Sequence, residues 1–274
     1  MRMNTFFLLL NLALVIFLAS ASALFAALPS GNSALQFTST QLASRTTPIS
    51  TVIDNLTMQC WVKWDGGSVG TIFYNGNGSF TGYGIIVQPG TNNLGLLCGG
   101  VTVTYSSTPL VLNTWQHLAL VRNAGAWSLY VNGIATTLAS VSVPSAPAPA
   151  PTLSDVLRFS GVIDEVSFWS APITPANILA YKDQPISAGH PNFASLVAYY
   201  PLNEGTGQVA GSGSAGLDLQ LGSTAGVDAD DPTWITSTAP LVPTLGEWGM
   251  IILGAVLLYA GYRYISRRRT AAIA

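Results

Sequence analysis

Asp164 and Glu165 stand side by side in the run Gly161-Val162-Ile163-Asp164-Glu165-Val166-Ser167-Phe168-Trp169, where paired carboxylates raise the question of acid–base chemistry on a sugar. Glycoside hydrolysis needs two carboxyl groups about 5–10 Å apart across one ring. The surrounding residues read as a strand, and neighbouring strand residues face opposite sides of a sheet. The pair is therefore not expected to face one substrate, and both residues read as hydrogen-bond acceptors. No catalytic residue is assigned, and the chain is not expected to be an enzyme.

The remaining reactive side chains are few. The histidines are His117, in a strand beside Trp115, and His190, before Pro191 in a loop. His117 reads as a structural, hydrogen-bonded ring and His190 has no local partner; two isolated imidazoles do not make a zinc site, which needs three or four converging ligands. Asp228-Ala229-Asp230-Asp231 is the densest acidic run. Asp228, Asp230 and Asp231 are candidate metal ligands, with calcium as the hard cation that carboxylate oxygens favour. The other reading is a solvated turn ended by Pro232. Gly211-x-Gly213-x-x-Gly216 spells a dinucleotide fingerprint but opens no helix, so it reads as linker.

Sugar recognition asks for amides and aromatic faces. The loop Asn75-Gly76-Asn77-Gly78-Ser79-Phe80-Thr81-Gly82-Tyr83 supplies both, so Asn75, Asn77 and Tyr83 are the candidate ligand-binding residues; the competing reading is an ordinary hairpin connection. Trp61, Trp115, Trp127 and Trp169 each lie in or beside a strand and read as core or half-core. Cys60 and Cys98 fall on apolar strand faces, Cys98 in step with Leu94 and Leu96. A disulfide between them is expected in an oxidising compartment, the alternative being two buried thiols.

These residues need elements to hold them. Leu56, Met58, Cys60 and Val62 alternate with Thr57, Gln59, Trp61 and Lys63, a period of two. Further strands are expected at 71–74, 84–88, 94–105, 117–122, 127–131, 134–138, 156–159, 162–169, 196–202 and 217–221. Asn132-Gly133 between two of them is a strong hairpin signal. Thr174 can cap one helix, with Pro175 at its first position and Ala176 to Lys182 completing it. The proline-rich stretch 143–152 reads as an extended surface loop and the Gly/Ser tract 205–216 as a flexible segment. Short strands with Gly/Asn turns imply an all-β antiparallel sandwich or barrel.

Both ends are apolar. Arg2 precedes an apolar core from Phe6 to Leu18, and Ala21-Ser22-Ala23 is a small-x-small cleavage signal, so residues 1–23 read as a signal peptide. The run 249–265 is about the minimum length for a membrane-spanning helix, with Arg267-Arg268-Arg269 as a cytoplasmic stop. Between them, residues 24–241 carry five cations, Arg45, Lys63, Arg122, Arg158 and Lys182, against eleven carboxylates, a formal charge of −6. Such a body is a poor candidate for nucleic acid, so no nucleic-acid partner is expected.

The tail reads Val242-Pro243-Thr244-Leu245-Gly246-Glu247-Trp248-Gly249, then apolar helix and arginine cluster. It resembles the bacterial IPTL-CTERM sorting signal, Val242 being the one conservative departure. That resemblance implies processing by an exosortase-like membrane protease in a Gram-negative envelope, anchored in the inner membrane beforehand. The body carries Ser33-Ala34-Leu35-Gln36-Phe37, Leu56 to Lys63, Trp115-Gln116-His117-Leu118-Ala119-Leu120-Val121, Leu129-Tyr130-Val131-Asn132-Gly133, Phe159 to Trp169, and Leu196 to Gly205, in that order. Over about residues 33–235 it resembles the laminin G-like branch of the concanavalin A-like lectins and glucanases. The resemblance implies a jelly roll of two antiparallel sheets with ligands at loop ends or on the concave face. Thr38-Ser39-Thr40-Gln41 stands where many relatives have an Asp-Gly-x-x-Asp turn, which weakens calcium binding as an inheritance. The expected function is a non-catalytic, exported recognition module binding glycan or a surface protein. A self-assembling structural surface protein and a degenerate glycoside hydrolase are the alternatives.

Overall fold

The computed structural model describes residues 33–239 apart from 78, 149–152, 155–157 and 215, and also residue 259. The expected signal peptide, the membrane helix and the sorting motif lie outside the described residues. No helix among the described residues is long and apolar enough to cross a membrane.

Fifteen strands follow in chain order: β1 (Ser33–Phe37), β2 (Ala43–Ser44), β3 (Leu56–Trp64), β4 (Thr71–Asn75), β5 (Tyr83–Val87), β6 (Asn93–Cys98), β7 (Thr102–Pro109), β8 (Trp115–Asn123), β9 (Ala126–Val131), β10 (Ile134–Ala135), β11 (Gly161–Trp169), β12 (Leu196–Tyr200), β13 (Val209–Ala210), β14 (Leu219–Leu221) and β15 (Thr233–Thr236). One α-helix, α1 (Pro175–Tyr181), lies between β11 and β12. The large sheet is ordered β10-β9-β8-β3-β11-β1-β15, with β12 also paired to β11. A second sheet is ordered β4-β5-β6-β7, and a small one β13-β14-β2. Every named strand pair is antiparallel.

Alternation explains the core. Met58, Cys60 and Val62 of β3 lie opposite Leu120, Leu118 and Gln116 of β8, and the apolar members join Ile85, Val87, Leu94 and Leu96 of the second sheet in one buried cluster. Burying a side chain such as Phe73 or Phe168 contributes about 1.5–3 kcal/mol. The β9–β10 hairpin turns at Asn132 and Gly133, with φ of 53° and 81°. Positive φ at both central residues is what a type I′ turn demands, which is why Asn-Gly signals it.

Several local expectations change. The single strand expected at 94–105 is two, because Gly99, Gly100 and Val101 turn between β6 and β7. The Gly/Ser tract contains β13, and Ser212 is buried, its backbone N–H and hydroxyl both donating to Asp218 Oδ1. The edge strand β15 carries little alternating apolar signal and escaped sequence reading. The helix starts as expected: Thr174 Oγ1 accepts from the Asn177 N–H.

The expected disulfide is absent. Cys60 and Cys98 are buried free thiols on strands of different sheets. Cys60 lies opposite Leu118 of β8, and Cys98 lies between Tyr83 of β5 and Thr102 of β7. Burial raises the Cys60 pKa to about 12 and the Cys98 pKa to about 11, so neither is a ready nucleophile.

Candidate functional site

The outward face of the large sheet holds an unusual row of polar residues. On β3, Gln59 and Trp61 alternate with the core residues Met58, Cys60 and Val62. Trp61 lies opposite His117 of β8 on one side and Asp164 of β11 on the other; Gln59 lies opposite Ser167. Over part of this face packs α1, whose Ile178 joins Ile173, Trp169, Ala119 and Val121 in a second apolar cluster. The chain that follows α1 crosses the rest. A small cleft enclosing about 30 Å³ remains between sheet and strap. Gln59, Trp61, His117, Glu165, Gln184 and His190 are among the residues lining it.

The strap is fastened at two places. Trp61 Nε1 donates to the Lys182 carbonyl at 2.9 Å, and the Lys182 ammonium lies 5.6 Å from the Trp61 ring centroid. Further on, the His190 ring sits against Trp169 and Tyr181, with centroids 4.6 Å from each. His190 Nδ1 also accepts from the Asn192 N–H at 3.1 Å, so the expectation that His190 has no local partner is corrected.

Glu165 enters the cleft through a defect in the strand. The β11–β3 register shifts between Asp164 and Ser167. Asp164 faces Trp61 and Ser167 faces Gln59, so Glu165 and Val166 together oppose Cys60: a β-bulge. Glu165 has φ of 52°, the left-handed conformation that bulges admit. The rule that neighbours face opposite sides therefore fails here. Glu165 turns to the outer face, where its Oε2 accepts from the Tyr199 hydroxyl. Asp164 is fully buried beside it, its Oδ1 accepting from the Glu165 N–H at 2.9 Å and its Oδ2 from the Ser237 hydroxyl. Burial raises both acids, Asp164 to about 7 and Glu165 to about 8, the neighbouring Asp164 adding to the second. Near neutral pH, Glu165 is thus mostly a carboxylic acid, a donor as well as an acceptor.

His117 is 4% exposed, with its ring edge-on to Trp61 at 5.4 Å. Its Nδ1 is buried without a hydrogen-bond partner, against the expectation of a satisfied ring. Burial, with the Lys182 charge, pushes its pKa down to about 3, so it stays neutral. Burial also lowers His190. A buried unpaired ring nitrogen is costly, and this one belongs to a side chain lining a cleft. Strongly shifted titrating groups in a cleft are a recognised signature of function.

The residues singled out for sugar binding do something else. Asn75 and Tyr83 are fully buried. Asn75 Oδ1 accepts from the Ile49 N–H at 2.9 Å, its Nδ2 donates to the Ser50 carbonyl at 2.8 Å and to Tyr83, and the Tyr83 hydroxyl donates to the Val52 carbonyl. They pin the segment before β3 to the second sheet. Asn77 Oδ1 accepts from Ser79 within its own turn. The acidic run is tied into its own turn, with Asp231 Oδ1 buried and without a hydrogen-bond partner. Asp228 Oδ2 accepts from Thr224 and Ser223, Asp228 Oδ1 from the Asp230 N–H, and Asp231 Oδ2 from the Asp228 N–H. These bonds close a turn. Among the described residues no group of three or more His, Cys, Asp or Glu side chains is placed to hold a metal ion.

Sequence reasoning had met Gln59, Trp61, His117, Glu165 and His190 singly. The signal that could have joined them is on β3: a polar–aromatic row on the face opposite the core, with a helix downstream that must cover some sheet.

The fold has counterparts. Residues 29–179 match the model of the concanavalin A-like lectin/glucanases superfamily, and the chain belongs to that superfamily. Residues 242–269 match the IPTL-CTERM motif, which indicates export and cell-surface sorting in bacteria. The crystal structure of a protein from Bacteroides ovatus ATCC 8483, provisionally described as carbohydrate-binding, is 19% identical with a TM-score of 0.57. The match covers 78% of this chain and 62% of that one, so this chain spans less than two thirds of its length. A native heptameric SAP-like pentraxin from Limulus polyphemus is 17% identical, covering 56% of this chain and 82% of that one, with a TM-score of 0.45. Domain 4 of an extracellular arabinanase from Geobacillus stearothermophilus, in complex with arabinotriose, is 18% identical, covering 46% and 66%, with a TM-score of 0.38. Comparison with curated proteins gave no match.

Proposed function

We infer that the protein is an exported, envelope-anchored recognition module that binds glycan and catalyses no reaction. The cleft under the strap carries this reading: the Gln59 amide, the Glu165 carboxyl, and the His117 and His190 rings line it together beside Trp61. Sugar hydroxyls are matched by just such groups, which both donate and accept. Catalysis by paired acids is disfavoured because the Asp164 carboxyl is engaged by the Glu165 N–H and Ser237, leaving Glu165 as the one acid lining the cleft. In this reading residues 1–23 are a leader, 24–241 the binding body, and 242–274 a sorting tail. That tail anchors the body in the inner membrane of a Gram-negative cell until an exosortase-like protease processes it.

The test is a glycan array probed with the full chain in a sugar-free detergent, beside Trp61→Ala and Gln59→Ala. Binding that both substitutions weaken at least tenfold, with no release of reducing sugar from bound glycan, is the expected result. Absence of binding, with concentration-dependent assembly instead, would replace this reading by that of a structural surface protein.

A further inference from the structure

Resting on the membrane-anchored reading above, we propose that the end of the body nearest its tail lies on a phospholipid surface, with Val111, Leu112 and Trp115 set into the headgroup layer.

The chain does not leave the body where β15 ends. The Ser237 hydroxyl donates to Asp164 of β11, and the Ala239 N–H donates to Ser237 Oγ at 3.1 Å. Trp115 Nε1, at the start of β8, donates to Thr238 Oγ1 at 3.1 Å. Residues 237–239 therefore cross the large sheet from β15 toward the start of β8, and Ala239 is buried. Ten positions further on, Gly249 opens the apolar run. Ten residues reach at most about 35 Å when fully extended. The nine residues of β8 alone span about 30 Å. To lay the opposite end of the sheet on lipid, the tether would have to run nearly its full reach back along β8. The Trp115 end is the one it holds close.

That end carries an apolar tip. Residues 111–114 turn just before β8, with the Thr114 N–H donating to the Val111 carbonyl and the Asn113 N–H to the Trp64 carbonyl. Val111 and Leu112 are 49% and 52% exposed. Leu112 leans on Gly66, where a Cβ would come within 2.9 Å of its Cδ1. Trp64 and Trp115 stand half-buried beside them, and Lys63 Nζ lies 5.5 Å from the Trp115 ring centroid. Aliphatic tips, flanking indoles and a lysine with a long apolar stem suit the boundary between lipid and water. A lone exposed aliphatic needs no explanation; this pair stands where the tether leaves.

Charge selects the kind of lipid. Lys63 and the exposed Asp65 leave the tip without net charge. The acidic turn 228–231 leads into β15 at the same end of the sheet, since Phe37 and Trp64 both lie opposite Gly161 and β15 begins opposite Gln36. An anionic surface would repel that turn, so zwitterionic phospholipid is the favoured partner.

The experiment places a nitroxide at Leu112→Cys or, as reference, at Ala126→Cys, an exposed site beyond the far end of β8. The full chain is reconstituted into vesicles of phosphatidylcholine and phosphatidylethanolamine; Cys60 and Cys98 are buried and stay unlabelled. Power saturation reads collisions with oxygen, which concentrates in lipid, and with a water-soluble nickel chelate. Nickel collisions at position 112 should be about threefold or more below those at 126, with oxygen collisions higher. Val111→Asp, in the turn and outside the sheet, should return the 112 label to the reference values; no response to it overturns the proposal. Equal values at the two positions, in a chain that stays with the vesicles, overturn the docking and leave the anchor intact. Fewer collisions with both reagents at 112 mean that protein, residues 240–248 or a second copy, covers the tip, and this too overturns it. A chain that elutes free of vesicles overturns the anchored reading itself.

Discussion

Replacing Asp164 by Asn should stabilise the protein, and more so as the pH rises. Asp164 is fully buried, and burial raises its pKa from 3.8 to about 7. A raised carboxyl pKa means that the folded state holds its proton more tightly than the unfolded chain. Its favourable contribution is complete below pH 3.8 and disappears as the pH climbs through 7. Between pH 4.5 and 8 the loss is about 3 kcal/mol, from about 1.4 kcal/mol per pKa unit. Asn keeps the geometry: its Oδ1 can accept from the Glu165 N–H and its Nδ2 can donate to Ser237 Oγ.

The assay is thermal unfolding of parent and D164N full chains, read by near-ultraviolet circular dichroism of the buried tryptophans. For a body of this size about 1 kcal/mol corresponds to about 2–4 °C in Tm. The gap between variant and parent should therefore widen by about 6–12 °C from pH 4.5 to pH 8. Other acids titrate in both proteins and largely cancel in the difference. A gap that stays constant within about 2 °C would falsify the claim that Asp164 is held protonated by burial.

Three further outcomes follow from the packing. Native protein should resist alkylation at Cys60 and Cys98, and both should react in denaturant without any reductant; a requirement for reductant would mean that they are bridged. Tyr83→Phe removes the partner of the Val52 carbonyl and of Asn75 Nδ2, costing about 1–3 kcal/mol in urea unfolding while leaving sugar affinity unchanged. Lost affinity at unchanged stability would restore the 75–83 loop as the binding site. Gly84→Ala places a Cβ 2.3 Å from the Phe73 carbonyl oxygen and 2.6 Å from the Tyr74 ring, and the overpacking should cost about 1–3 kcal/mol. A neutral result would show that β4 and β5 can separate cheaply.

The sandwich was legible because its signals are local and redundant. The alternation of Leu56 to Lys63, the Asn132-Gly133 turn and the Thr174-Pro175 cap each reflect chemistry within a few residues. The site was not legible, because it depends on which strands meet and where one of them breaks step. Asn75 and Tyr83 have the composition of a sugar site, yet composition does not say that the 49–52 segment will fold over them and use their polar atoms. Glu165 fails in the opposite direction: perfect alternation assigns Asp164 and Glu165 to opposite faces, and one left-handed residue cancels that assignment. The bulge also keeps the core intact. Val166 and Phe168 return to the inner face after it, so the strand gains an outward carboxyl without turning an apolar residue to the polar side. A regular β11 would carry either the core residues or the cleft acid in phase, but not both. The extra residue is what lets one strand serve the sandwich and the cleft together.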